Sequence, residues 1–348
     1  MNDVPNTADL AADTTQAAGV AEPARRSRAR LFTFVKVTLS VLALCFLALK
    51  VDLAAVWQRM AGQSLWLVAA ALMALSAQIV LGALRWRTIL ESLGARAPLP
   101  ELMRVFYVAA FFSSWMWGGA VAGDGVRAWL SLRMQMRVMR AITSVILDRA
   151  VAVAGVAILV ILTAPLFAAQ LGDAATAWTA WAPWAPAAAA GALLIGIGVA
   201  TQMYRLPLNW HRHRLLGALQ TLSIETRAVF LRPGVAVAAL GLAVAAQFAM
   251  SLAAYALAWS MDIGLSLTNC LVLIQPVVLA TALPISIGGW GVRETAMIAL
   301  LALVGVPASA ALALSVQLGL LSMVAALPGL ALWLRLKTDP LASEERSP

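Results

Sequence analysis

The sequence is short of charge. Asp, Glu, Lys and Arg make up 12% of its 348 residues and hydrophobic residues 62%, whereas soluble domains carry about 25% charged residues. The stretch 263–334 contains a single charged pair, Arg293–Glu294, and such a stretch could not stay dissolved in water. This excludes an ordinary soluble domain and predicts a polytopic membrane protein, in which a charge at such a place is costly and usually functional.

Residues that bind metals or form disulfides are also scarce. Cys45 and Cys270 both lie in apolar runs, and the two histidines lie together in the basic segment "HRHR". Two such thiols make neither a disulfide framework nor a zinc site, and the histidine segment suits a solvated face. The sequence has no nucleotide-binding glycine loop and no nucleophile–base pair. We therefore expect no metal, no cofactor, no use of ATP and no enzymatic activity.

Arginine is plentiful, and it is confined to short segments between apolar runs. The net charge of +9 would suit nucleic acid, but this confinement is the positive-inside pattern of a membrane protein, so we expect no nucleic-acid partner. The connections predicted on the other side of the membrane carry little charge, with Asp173 alone in one and Asp262 alone in another. The pattern predicts that both termini are cytoplasmic. The basic segments are Arg25–Arg30, Arg85–Arg104, Arg127–Arg140, Arg205–Arg232 and Arg335–Lys337.

Six apolar runs are long enough to cross a bilayer, which takes about 20 helical residues. Residues 1–30 form a polar, basic tail that we expect to be disordered. Residues 31–335 form a single transmembrane domain, and residues 336–348 form a C-terminal tail. The predicted spans are Leu31–Leu49, Leu65–Leu84, Ala150–Leu171, Pro183–Met203, Val235–Met261 and about Ser309–Leu334.

Two regions do not fit six simple crossings. Val105–Ala122 is uncharged over 18 residues, yet arginines flank both of its ends, so we expect a broken hairpin near 105–125 that returns to the cytoplasmic side. Region 263–306 must also return to its own side, by dipping once or by crossing twice. We therefore predict an all-α helical bundle with two broken or re-entrant hairpins. The predicted turn residues are Gly118, Gly119, Gly123 and Gly125 in the first region, and Pro276, Pro284, Gly288, Gly289 and Gly291 in the second.

A similar motif ends each broken region. "GDGVR", which ends at Arg127, and "GWGVR", which ends at Arg293, match at four of five positions. Interrupted segments at corresponding places of an internal repeat mark transporter sites, although common residues also match by chance. A helix that begins after such a turn presents free N–H groups and its positive dipole end. An arginine in its first turn adds a forked donor for phosphate, and Asp124 or Glu294 would cap the helix or pair the arginine. The motifs predict a lipid-phosphate site at membrane depth.

A third charged pair, Asp148–Arg149, stands beside another apolar run. If the helix begins just after Arg140, the pair lies about 12 Å along it and inside the bilayer. If the helix begins at Ala150, the pair is interfacial. The sequence allows both interpretations, and Asp148 and Arg149 join the candidate anion-binding residues.

Two basic connections carry amphipathic stretches. Both have apolar residues at helical spacing, which suits helices that lie in the membrane interface, the alternative being solvated loops. The apolar residues are Trp86, Ile89, Leu90 and Leu93 in one stretch, and Leu215, Leu216, Leu219 and Leu222 in the other.

These motifs resemble a known family. "RWRTIL" after the second span, the "GDGVR" turn, the Asp148–Arg149 pair and "LPISIGGWGVRE" near the end look like the lysylphosphatidylglycerol synthase transmembrane family, over about residues 31–335. The chain departs from the family pattern in carrying Asp at 124 and 148, where Glu is usual, and in lacking a Leu-Pro in the first turn.

The resemblance implies a flippase-like, multi-pass protein of the bacterial inner membrane. Its partner would be a phospholipid or another phosphate-bearing lipid, which it would bind and translocate. Full synthases carry a cytoplasmic aminoacyltransferase domain after the membrane part, but only 14 residues follow Leu334 here, so we expect no aminoacyl transfer. The alternatives are an integral-membrane enzyme acting on a lipid carrier, and a noncatalytic partner of lipid-modifying enzymes. The candidate lipid-binding residues are Asp124, Arg127, Asp148, Arg149, Arg293 and Glu294.

Overall fold

The computed structural model describes residues 53–116, 119–134, 136–171, 214–282 and 289–338, with short pieces between 188 and 202. These parts of the chain are helical and contain no strand. The predicted tails, the spans Leu31–Leu49 and most of Pro183–Met203, and the turn residues Gly118, Pro284 and Gly288 lie outside them. The helices are α1 Leu53–Ala61, α2 Leu65–Ser92, α3 Leu99–Trp115, α4 Ala120–Arg133, α5 Val138–Leu171, α6 Arg214–Phe230, α7 Pro233–Ser260, α8 Leu267–Ala282, α9 Val292–Leu301, α10 Ala308–Ala326 and α11 Pro328–Thr338.

Four helical segments among the described residues are long and apolar enough to cross a membrane. They are Leu65–Ser92, Val138–Leu166, Pro233–Ser260 and Ala308–Leu336, and they correspond to four of the six predicted spans. The last segment joins α10 to α11 at Pro328. The prediction of a multi-pass helical membrane protein is thus confirmed.

Small residues allow the long helices to pack closely. A Cβ added at Gly155 of α5 would lie 2.5 Å from the Cβ of Ala243 in α7. Helix α7 also packs along α2, and Ala71 and Ala83 of α2 are fully buried. Close approach through Gly and Ala is the usual basis of helix association in a bilayer, where burial of apolar area gives little advantage.

The first broken region is a helical hairpin made by α3 and α4, which have 17 and 14 residues. Helix α3 ends at Trp115 and α4 begins at Ala120, directly after Gly119, which has a φ of 53°. Gly123 lies against the backbone of Ala109, and Arg127 lies against Phe106, so the two helices run antiparallel. The break is confirmed, whereas a return to the same side of a membrane stays a prediction.

Gly123 and Gly125 were wrongly predicted to form that turn, because both lie inside α4. A Cβ at Gly123 would approach the carbonyl oxygen of Ala109 to 2.5 Å, so this glycine permits close contact between α3 and α4. Gly125 faces open space. The positive φ that favours glycine occurs at Gly119, four residues before Gly123.

The second broken region also contains two short helices, α8 and α9, which contact each other. Gly289 and Gly291, with φ values of 82° and 86°, form the turn before α9 as predicted. Pro276 does not break the chain, because it lies inside α8. The "GWGVR" motif therefore includes a turn and the start of a helix, whereas "GDGVR" is wholly helical. The two motifs are not equivalent in local structure.

The stretch after the second span was wrongly assigned to a separate interfacial helix. Helix α2 continues to Ser92 without a break, and Trp86, Ile89 and Leu90 are buried in its last turns. Arg85 does not end the span because a buried carboxylate neutralises it. The other amphipathic stretch is helical, as α6, and its place in the interface stays a prediction.

Helix α11 and the end of α10 pack on the first hairpin. The ring of Trp333 in α11 lies 5.1 Å from that of Phe112 in α3 and 5.9 Å from that of Trp129 in α4. The indole of Trp115 donates a hydrogen bond of 3.1 Å to the carbonyl of Met323 in α10. These contacts hold α10 and α11 beside the hairpin.

Candidate functional site

A partly open cavity of about 300 Å³ lies between α2, α3, α4, α5 and α10. Charged and hydroxyl side chains line much of it, although it is surrounded by apolar spans. Such a polar cavity inside a membrane bundle is a functional-site candidate. Its charged residues are Arg85, Asp124, Arg127, Asp148 and Arg149, and its uncharged polar residues are Gln78, Ser113, Ser114 and Ser322.

Two arginines share one buried carboxylate at the inner wall of this cavity. Nε and Nη2 of Arg85 donate to the two oxygens of Asp148, at 2.8 and 3.1 Å. Nη1 of Arg127 donates to Oδ2 of Asp148 at 2.7 Å. Only 1% of the Asp148 side chain is exposed. Burial without pairing would cost several kcal/mol, so the two cations hold Asp148 ionised.

Arg127 has further partners that fix its position. Its guanidinium carbon lies 4.9 Å from the ring centroid of Trp86 and 5.3 Å from that of Phe106, within the range of cation–π contacts. Nη2 donates a long hydrogen bond of 3.4 Å to the carbonyl of Val145. Its Nε is buried and has no hydrogen-bond partner. Arg127 therefore retains an unused donor beside the cavity.

The second ion pair is more open. Nε and Nη2 of Arg149 donate to the two carboxylate oxygens of Asp124, at 2.7 and 3.0 Å. The Arg149 side chain is 47% exposed and that of Asp124 is 23% exposed. Asp124 therefore neither caps α4 nor pairs with Arg127, the two roles predicted for it from the motif.

The cavity carries a surplus of positive charge. Three arginines line it against two aspartates, which leaves one net positive charge if every group is ionised. An anion that entered would meet this surplus and the hydroxyl groups of Ser113, Ser114 and Ser322. Guanidinium groups suit phosphate because they offer paired donors in one plane.

Asp148 and Arg149 lie well inside a helix. Helix α5 begins at Val138 and not at Ala150, so Asp148 lies ten residues, or about 15 Å, from its start. The depth of the pair in a membrane stays a prediction. The structure also brings Asp124, Arg127, Asp148 and Arg149 to one cavity.

Arg293 and Glu294 are placed elsewhere and do not line the cavity. Nε and Nη2 of Arg293 donate to Oε1 of Glu294 at 3.0 and 2.8 Å, and the guanidinium lies 4.5 Å from the ring of Trp290. The N–H of Gly291 donates to the other oxygen of the fully buried Glu294, and Ser315 donates to Oε1 at 3.3 Å. Glu294 thus both caps α9 and pairs Arg293, as the motif predicted.

Sequence reasoning missed Arg85. It was counted among the basic residues that end the second span, because it opens the segment "RWR". One signal was available: α2 stays apolar and helical on both sides of it, with Trp86, Ile89 and Leu90 at core spacing. A lone arginine followed by such a pattern indicates a continuing helix with a buried counterion.

In the described part of the chain, no cluster of three or more His, Cys, Asp or Glu side chains could hold a metal ion. The cavity offers guanidinium and hydroxyl groups, which are donors of the kind that bind anions. Its charged residues come from three different helices, α2, α4 and α5, so movement of one helix would change the site.

Comparison with known proteins agrees with this picture of a membrane site. No curated protein matches the chain. Residues 33–329, which include every charged residue of the cavity and the Arg293–Glu294 pair, match the lysylphosphatidylglycerol synthase transmembrane region. This match covers most of the 348 residues, and the chain therefore belongs to the lysylphosphatidylglycerol synthase transmembrane-region family.

Proposed function

We propose that this protein binds a phosphate-bearing lipid and moves its headgroup across the bilayer, without a chemical step. Family membership supports a function related to membrane lipids. The observation that carries the finer proposal is the cavity, which combines three arginines with two aspartates between apolar spans. The anion most abundant at that place is a lipid phosphate.

The depth of the cavity along its helices supports this proposal. Arg85 lies seven residues from the end of α2, and Ser114 lies 15 residues from the start of α3. At 1.5 Å per residue, the cavity extends from about 10 to about 22 Å from the helix ends that carry the basic connections. We propose that these helix ends lie at the membrane surface. Since the hydrocarbon core is about 30 Å thick, a headgroup in the cavity would then be well inside the membrane.

We also propose the topology that the arginine pattern predicted. Both termini would be cytoplasmic, in a bacterial inner membrane, and the two broken regions would be re-entrant halves of an internal repeat. Cysteines placed at Arg96 and Ser64, without Cys45 and Cys270, should react with an impermeant thiol reagent from opposite faces. Reaction from a single face would refute this topology.

The Arg293–Glu294 pair, which lies outside the cavity, has a proposed role further along α10. Ser315, Gly319, Ser322 and Ala326 form one stripe of α10, because they are spaced by three or four residues. Ser322 and Ala326 line the cavity, whereas Ser315 contacts Glu294 and Gly319 lies against the Arg293 guanidinium. Arg293 and Glu294 therefore lie against the part of this α10 stripe that extends beyond the cavity. In the proposed transport cycle Arg293 leaves this position and meets the headgroup.

Removing the exposed arginine tests the function. Arg149→Gln deletes a donor to the anion while leaving the buried Arg85–Asp148–Arg127 cluster intact. Each charge-assisted hydrogen bond is worth about 1.5–3 kcal/mol, so transport should fall at least about tenfold, at 1.4 kcal/mol per decade. The assay is movement of a fluorescent phospholipid between leaflets of liposomes that contain the purified protein.

Arg87→Gln provides the matched control. Arg87 lies on the same helix as Arg85, but it forms an exposed pair with Glu91, which contributes little. This variant should transport lipid at the parental rate. Equal rates for Arg149→Gln and Arg87→Gln would show that the cavity is not the transport site.

A further inference from the structure

The Asp124–Arg149 pair lies on an outward-facing, apolar surface of the bundle. Ile142, Ile146 and Arg149 follow one another at helical spacing on the exposed face of α5, and Ile146 is 46% exposed. On α4, Val121 is 63% exposed and Gly125 is also exposed. Because α4 and α5 contact each other, these two faces border one seam.

A half-exposed ion pair in such a surface requires an explanation. Charged side chains that face hydrocarbon are costly, and those found in membrane spans usually face a bundle interior or a wet cavity. Here the cavity lies directly behind the pair, since Asp124 and Arg149 also line it. The pair therefore stands where the polar cavity meets the lipid-facing surface.

Exposure decreases from this seam inward. The Arg149 side chain is 47% exposed, whereas only 1% of the Asp148 side chain is exposed. The inner wall is closed by the Arg85–Asp148–Arg127 cluster with Trp86 and Phe106. The open side of the cavity is thus the side on which Asp124 and Arg149 lie.

We propose that the seam between α4 and α5 is a lateral entrance through which a membrane lipid inserts its headgroup, while its acyl chains stay outside against Val121, Ile142 and Ile146. This inference rests on the proposed function and adds the route and the lipid-contact surface. The cavity volume of about 300 Å³ corresponds to about ten waters at 30 Å³ each, which suits a headgroup and leaves no room for two acyl chains.

Gly125 offers a way to narrow this entrance without disturbing the core. A Cβ added there has open space around it, and the residue follows Asp124 directly. Gly125→Trp should place an indole in the seam. Gly241→Trp is the control, because Gly241 is also helical, exposed and surrounded by open space, but lies on α7.

The measurement is phospholipid retained by each purified protein after gentle detergent extraction, quantified by native mass spectrometry, together with lipid transport in liposomes. Gly125→Trp should lower both by about tenfold or more, which corresponds to about 1.4 kcal/mol, and Gly241→Trp should match the parent. Gly125→Leu should give an intermediate loss, which separates obstruction from misfolding.

The outcomes distinguish the entrance from the function. If the parent retains and transports phospholipid but Gly125→Trp equals Gly241→Trp, the lateral entrance is refuted and the proposed function stands. If the parent neither retains nor transports phospholipid, both proposals fail. Equal losses in the two tryptophan variants would also refute a specific entrance at this seam.

Discussion

Replacing Asp148 by Asn should destabilise the protein far more than replacing Asp124 by Asn. Asp148 accepts three hydrogen bonds from two arginines, at 2.7–3.1 Å, and is almost fully buried. The asparagine keeps the size of the side chain but removes its charge. Arg85 and Arg127 would then face each other as two buried cations without a counterion.

The expected loss of unfolding free energy follows from the burial of Asp148. Breaking a buried ion pair by removing one partner costs about 3–5 kcal/mol, because the remaining charge stays desolvated. Asp124 has a single partner, Arg149, and both side chains border the polar cavity, through which we expect water to reach them. An exposed pair of that kind contributes about 0–1 kcal/mol. The loss of unfolding free energy should therefore be at least about threefold larger for Asp148→Asn.

Thermal unfolding in detergent micelles, followed by tryptophan fluorescence, measures the difference. Asp148→Asn should lower the midpoint clearly and Asp124→Asn only slightly. The double variant Asp148→Asn/Arg85→Gln should regain part of the loss, since one stranded cation is removed. Equal midpoints for the two single variants would refute the assignment of a buried, doubly paired carboxylate.

Two further substitutions test particular contacts of the fold. Gly123→Ala should destabilise the protein by about 1–3 kcal/mol, because the added Cβ meets the backbone of α3 and overpacking costs that much. Gly125→Ala should stabilise it by about 0.5–1 kcal/mol. Thermal midpoints that shift alike in the two variants would contradict the packing described for α4. Gly319→Ala should displace the Arg293 guanidinium from α10 and lower both the lipid transport in liposomes and the midpoint, because the fully buried Glu294 loses part of its pairing. An unchanged transport rate would show that this contact has no part in the cycle.

Much of the helical layout could be predicted from the sequence, because long uncharged runs have few alternatives to membrane spans. Leu65–Ser92 and Pro233–Ser260 were both located in this way. The end of α2 was predicted too early, because an arginine usually marks the boundary of an apolar span. The helix continues through Arg85 because this residue pairs with Asp148 of α5.

Four of the six predicted site residues line the cavity, whereas their pairings were not predicted and Arg85 was missed. Asp124, Arg127, Asp148 and Arg149 do share one cavity. The motif argument paired each arginine with its neighbouring acid, and this holds only for Arg293, which pairs with the adjacent residue of α9. In α4, Asp124 and Arg127 are three residues apart, a spacing that allows a pair along the helix, but each pairs with a residue of α5 instead, Asp124 with Arg149 and Arg127 with Asp148.

An experimental structure of the protein in lipid nanodiscs with excess phospholipid tests the central claim most directly. The account predicts a lipid phosphate inside the cavity, within about 3 Å of guanidinium nitrogens of Arg149 or Arg127, and acyl chains leaving through the seam between α4 and α5. A cavity that holds only water, with phospholipids confined to the outer surface of the bundle, would contradict it.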